Sequence, residues 1–100
     1  MLKIDEQVVK DTVKVLGQDE TLMLTMEECS ELQKECSKVF RCKGNRANLV
    51  EEMGDVLICI EYLRELYNIS DVELQETIDH KMHRTKKRID NNTLTLRGGE

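Results

Sequence analysis

Proline and tryptophan are absent from this chain of 100 residues, and glycine occurs only five times. With Leu, Glu, Lys and Met plentiful, nothing interrupts long helices, and the chain reads as all α. The only aromatics are Phe40, Tyr62 and Tyr67, which leaves little material for stacking a base. No apolar run approaches the roughly 18 to 20 residues of a membrane span, and the opening "MLKIDEQVVK" lacks the apolar centre of a signal peptide. The expectation is a cytosolic (cytoplasmic) protein with no membrane partner. Cys29, Cys36, Cys42 and Cys59 form no CxxC pair, and His80 and His83 lie far from them, which argues against a zinc site or a disulfide framework. Small reduced cysteines in a helical core are the ordinary alternative.

What is present is charge. Charged residues make up 35% of the chain against 39% hydrophobic, with a net charge of −5. That balance suits a soluble globular protein and argues against a nucleic-acid partner. The cations are concentrated in two places: Lys81, Arg84, Lys86, Lys87 and Arg88 after His80, and Lys38, Arg41, Lys43 and Arg46 around Gly44. A chain this short buries only about 65% of the surface its unfolded form exposes. Its thin core points to a second copy, in a homodimer or homotetramer.

Hydrophobic periodicity divides the chain into four helices, expected to form a four-helix bundle completed by oligomerisation. The first covers residues 4–16, with Ile4, Val8, Val9, Val13 and Leu16 on one face and Gly17 ending it. The second runs from about Glu20 to Cys42, before the break at Gly44 and Asn45. The third begins near Asn48, with Glu51 in capping-box spacing, and carries a seam of Leu49, Met53, Val56, Ile60, Leu63 and Tyr67. Ser70 with Glu73 caps the fourth, which reaches about Asp90. A single domain over residues 1–90 and a loosely packed polar tail at 91–100 are expected.

The acids fall where a solvated surface would not put them. On a helical wheel, Glu52 and Asp55 share a stripe with Cys59, Leu63 and Leu66, acidic for one turn and apolar afterwards. On the second helix, Glu28, Glu31 and Glu35 occupy one arc of about 60°, bracketed by Leu24 and Val39. Residues three apart are neighbours on a helix, so Glu28 with Glu31, and Glu52 with Asp55, each form a pair of oxygen ligands. An antiparallel hairpin through Gly44 would set the pairs opposite each other. Like charges about 4 Å apart repel by roughly 4 kcal/mol at an effective dielectric of 20. An all-oxygen set that needs compensation suits a hard cation, Mg²⁺ or its substitute Mn²⁺. Gly54, costly by about 1 kcal/mol relative to Ala in a helix interior, fits a place where a ligand or backbone comes close. Spacing alone remains weak evidence, since Glu73, Glu76 and Asp79 repeat it on the fourth helix.

"MEECSELQKE", followed after a turn by "NLVEEMGDVLICI", resembles the MazG-like all-α nucleoside triphosphate pyrophosphohydrolases, whose hallmark is EExxE on one helix and ExxD on the next. "KMHRTKKR" is similar to the family's basic helix end, although Thr85 stands where Asn is usual and no Tyr-Pro follows. The resemblance runs from about residue 20 to residue 88. It implies that Glu28, Glu31, Glu52 and Asp55 coordinate Mg²⁺, and that Lys81, Arg84 and Lys87 or Arg88 contact phosphates of a nucleoside triphosphate. The implied reaction is hydrolysis between the α and β phosphates to the monophosphate and pyrophosphate. Glu31 and Glu52 are the candidate catalytic carboxylates, with Glu31 orienting the attacking water. Glu35 is the alternative or a supporting group behind the ligands.

Other readings predict different things. A non-catalytic helical module docking acidic stripes on a basic partner would keep those stripes exposed along their length. A di-iron carboxylate bundle would carry Glu-x-x-His pairs, which this chain lacks. A phosphoribosyl-ATP pyrophosphohydrolase-like enzyme would use a similar helical scaffold.

Overall fold

A computed structural model of the chain describes residues 1–94. It contains three helices, α1 (Glu6–Phe40), α2 (Arg46–Tyr67) and α3 (Asp71–Asp90), with no strand among the described residues. The all-α expectation is met. The four expected helical segments appear as three elements because the first two meet end to end within α1, at a kink where the Gly17 backbone is not helical (φ 76°, ψ −179°). Only glycine adopts that region readily. The expected break at Gly17 is therefore met, with two helical segments meeting there end to end. Of the tail expected at 91–100, residues 91–94 follow α3 as turn and coil, and the remainder lies outside the described residues.

Each helix starts on a side-chain cap. Asp5 Oδ1 accepts hydrogen bonds from the backbone N–H groups of Gln7 (3.0 Å) and Val8 (3.1 Å). Asn45 Oδ1 accepts from Asn48 N at 2.8 Å, and Ser70 Oγ from Glu73 N at 3.1 Å. The Ser70 cap is as expected. The α2 cap is Asn45, not Asn48: Asn48 occupies the third helical position and donates to the cap. Between α1 and α2, the N–H groups of Lys43 and Gly44 both donate to Lys38 O, at 2.8 and 3.1 Å. A Cβ on Gly44 would lie 2.8 Å from Val39 Cγ2 and 2.9 Å from Val39 N, so this turn admits only glycine without rearrangement.

The chain forms two compact units, Met1–Asn68 and a second from Ile69 onward. In the first, α1 packs against α2. Their register is antiparallel. Thr25 neighbours the Cys59 thiol, while Glu28 lies with Asp55 and Glu52, so partners descend α2 as positions climb α1. In the first segment of α1, Val9 and Val13 are buried, and with Cys59 they are the buried apolar residues among those described. Thr21 (0% exposed) and Glu35 (6%) are the buried polar residues among those described.

That packing corrects the expected seam. The stripe of α2 that meets α1 is the one holding Glu52, Asp55 and Cys59, with Cys59 only 2% exposed. Of the expected seam, Leu49, Val56 and Leu63 are half-buried, whereas Met53, Ile60 and Tyr67 stay exposed, Met53 and Tyr67 each at 48%, so Tyr67 is not core. The helix has two candidate stripes, and the tight turn at Gly44 fixes which one faces α1. The cysteines also divide: all four are free, Cys59 is buried, and Cys29, Cys36 and Cys42 are exposed instead of lying in the core.

Candidate functional site

The hairpin turns acids inward. On α1, residues 21, 24, 25, 28, 31, 32 and 35 recur at helical spacing on the side toward α2, and all are half-buried or buried. On α2, Glu52 and Asp55 are half-buried on the facing stripe. One carboxylate oxygen each from Glu28, Glu52 and Asp55 lies within 4.8 Å of the other two. Two helices thus bring three of the four expected ligands to one point.

Electrostatics record the crowding. Burial pushes the Glu28 carboxyl above the ordinary carboxylate range, and the neighbouring Asp55 adds to this through its charge and a hydrogen bond, followed by Glu52 and Glu27. Burial likewise raises Glu52, with further contributions from Asp55, Glu31, Glu51 and Glu35. In both cases loss of water is the leading cause and like charge the next. Glu52 Oε2 is shielded from solvent and has no hydrogen-bond partner.

Glu31 is half-buried and close enough for its charge to act on Glu52. Its Oε1 lies 3.7 Å from Lys34 Nζ, outside the three-carboxylate group. Glu35, one turn on, is buried deeper than the expected ligands; its Oε2 meets Lys38 Nζ at 3.2 Å, and its Oε1 is shielded and unpartnered. Sequence reasoning placed Glu35 on the correct stripe but missed Lys38 as its partner. The signal was there in the three-residue separation of an acid and a base on that stripe.

Below the acids, the stripe ends in Thr25 and Cys59. Burial raises the thiol of Cys59, partly offset by the neighbouring Thr25, so it stays a neutral thiol and not a thiolate. This apolar floor explains why the α2 stripe is acidic for one turn only. Gly54 is different from what its position suggested: a Cβ there would meet no atom within 4 Å. Nothing described in the chain crowds it.

The expected phosphate contacts stand on α3, in the second unit. Lys81 and Lys87 are exposed, and Arg84 and Arg88 half-buried. His80 and His83 are exposed on the same helix.

A hard divalent cation fits the residues present at Glu28, Glu52 and Asp55. The donors are all carboxylate oxygens, they converge from two helices, and Glu52 Oε2 has no protein donor to satisfy it. Nitrogen and sulfur donors are missing from the group, which disfavours zinc or copper.

Residues 17–92 match the MazG nucleotide pyrophosphohydrolase domain family. The match covers most of the chain, including both acidic helices and the basic run, and the chain belongs to this family. No curated protein and no solved structure matches it.

Proposed function

We propose that this protein is a Mg²⁺-dependent nucleotide pyrophosphohydrolase that cleaves a nucleoside or deoxynucleoside triphosphate between the α and β phosphates, releasing the monophosphate and pyrophosphate. One observation carries the reading: three carboxylates from two facing helices converge in a half-buried place. A docking module would present its acids outward along a helix, whereas these turn toward the partner helix.

Glu28, Glu52 and Asp55 would hold the ion, with Glu31, whose charge acts on Glu52, as the proposed fourth ligand. Bound there, Mg²⁺, or Mn²⁺ in its place, would neutralise phosphate charge and acidify a water molecule. Glu31 is the more solvated carboxylate and is suited to take the proton from the attacking water while Glu52 stays fixed as a ligand. The water oxygen forms the new bond to the α phosphorus, the bridging bond to the β phosphate breaks, and pyrophosphate leaves with the electron pair. Lys81, Arg84, Lys87 and Arg88 are proposed to bind the phosphates. The working unit is one domain of residues 1–90, acting in the cytoplasm.

We also propose that it acts as a homodimer or homotetramer. α2 leaves Val50, Met53, Leu57, Ile60 and Tyr67 exposed at heptad-like spacing, and α1 does the same with Met26, Cys29, Cys36 and Phe40, the last at 89% exposure. Helical phase puts both stripes on the same side of the antiparallel pair. With a core of so few side chains, a second hairpin is the occupant that would bury both stripes at once.

The test is pyrophosphate release from a panel of ribo- and deoxyribonucleoside triphosphates with Mg²⁺, Mn²⁺ or chelator, for wild type and Glu52→Gln. Metal-dependent pyrophosphate release that the variant loses is the expected result. Orthophosphate release would move the cleaved bond, and no turnover with any nucleotide would remove the enzymatic reading.

A further inference from the structure

Glu35 is an unusual residue to find buried. Its side chain is only 8% exposed, and a carboxylate so placed is stable only when its oxygens are satisfied. Oε2 is satisfied by Lys38 Nζ at 3.2 Å, whereas Oε1 is shielded from solvent and has no partner. An ordinary surface pair three residues apart, such as Lys34 with Glu31, has both side chains well exposed, at 65% and 43%. The Glu35 pair is asymmetric, with a buried acid and a lysine whose side chain is 46% exposed.

The pair also points a particular way. Side chains on a helix lean toward its N-terminus, and Lys38 reaches back one turn along α1 to Glu35. From Glu28 to Glu35 the helix rises only about 10 Å. Glu35 stands close enough to the acidic group for its charge to act on Glu52. The free oxygen of Glu52 and the free oxygen of Glu35 are both shielded and both lack a donor.

Resting on the function proposed above, we infer that Glu35 is a positioning residue of this site: through Oε2 it holds Lys38 at the edge of the carboxylate group as a phosphate-binding cation, and through Oε1 it accepts a hydrogen bond from water carried by the hydrated cation. Mg²⁺ keeps several of its waters when bound by protein carboxylates, and those waters need acceptors. A lysine ammonium is a point charge with three donors, so Lys38 can keep its bond to Glu35 while donating to a phosphate oxygen. The hairpin thereby supplies its own phosphate cation, independent of those on α3.

The experiment uses Glu35→Gln, Lys38→Met and Lys38→Arg in the full chain, each first checked for wild-type helicity. Two measurements need no turnover: Mg²⁺ binding by thermal shift, and binding of inorganic pyrophosphate with Mg²⁺ present by calorimetry. Steady-state kinetics on the best triphosphate is the third. Lys38→Met should leave the Mg²⁺ shift unchanged, weaken pyrophosphate about tenfold and raise KM more than it lowers kcat, with Lys38→Arg recovering most of the loss. Glu35→Gln should weaken Mg²⁺ several-fold; at saturating Mg²⁺ it should reproduce the pyrophosphate loss, and the double variant should there bind pyrophosphate no worse than Lys38→Met alone. The proposal is overturned if Lys38→Met binds pyrophosphate like wild type, or if Glu35→Gln keeps full Mg²⁺ affinity, while wild type shows both responses. A wild type without any Mg²⁺ response would overturn the metal site itself, and the role of Glu35 with it.

Discussion

Two sets of acids in this chain are spelled alike and live differently. Glu73, Glu76 and Asp79 sit at three-residue spacing on α3, as Glu28 with Glu31 and Glu52 with Asp55 do in the hairpin. The α3 acids are all exposed, and Asp79 is engaged by Gln75 Nε2 at 2.9 Å on its own helix. The hairpin acids face a second helix that carries acids of its own. Among the described residues, only Glu28, Glu52 and Asp55 converge as a possible metal-binding group. Spacing places carboxylates on a helix face, and a facing helix makes that face a site.

The largest effect should separate the two sets by function. Asp55→Asn is expected to lower metal-dependent pyrophosphate release at least a hundredfold, about 2.7 kcal/mol in barrier. Asp79→Asn should stay within twofold in the same assay. Comparable losses in both would mean that the hairpin is not special. A mutation at the kink tests the packing that supports it. Gly17→Ala forces an alanine to φ 76° and should cost about 1–3 kcal/mol in urea unfolding, whereas an unchanged midpoint would show the kink to be dispensable.

Acidity offers a subtler contrast. Glu28 and Glu52 are both raised above their ordinary value of 4.5, so the metal-free folded protein takes up protons at a higher pH than the unfolded chain. Their contribution to stability is therefore fully present below the ordinary range and is lost as pH rises through the raised values. Without metal, Glu52→Gln should be more stable than wild type at pH 7, and the gap should close as pH falls toward 4.5. Glu76→Gln should show no such pH-dependent gap. The smallest effect concerns Gly54, where a methyl group has open space. Gly54→Ala should stabilise the folded chain by about 0.5–1 kcal/mol; destabilisation, read with the sedimentation profile, would reveal a partner or ligand packed against that backbone.

Much of this was legible in the letters. The absence of proline gave long helices, Ser70 and Gly17 marked a start and a break, and the wheel put Glu28, Glu31, Glu35, Glu52 and Asp55 on stripes that do turn inward. Periodicity could not choose between the two stripes of α2, because both are apolar over most of their length. That choice depends on the turn, where Lys43 and Gly44 donate to one carbonyl. The same limit explains the misplaced cap at Asn48, since Asn45 carries an equally good side chain three residues earlier. The Glu35 and Lys38 pair escaped notice because burial of a single acid is a property of the packed hairpin.

The central claim is that Glu28, Glu52 and Asp55 together form a divalent cation site. Its most direct test is titration of Mn²⁺ into the protein with no nucleotide present, following free Mn²⁺ by electron paramagnetic resonance, for wild type, Glu52→Gln and Glu76→Gln. The account predicts that wild type and Glu76→Gln bind alike and that Glu52→Gln loses at least tenfold in affinity. Equal binding by all three, or none by wild type, would contradict it.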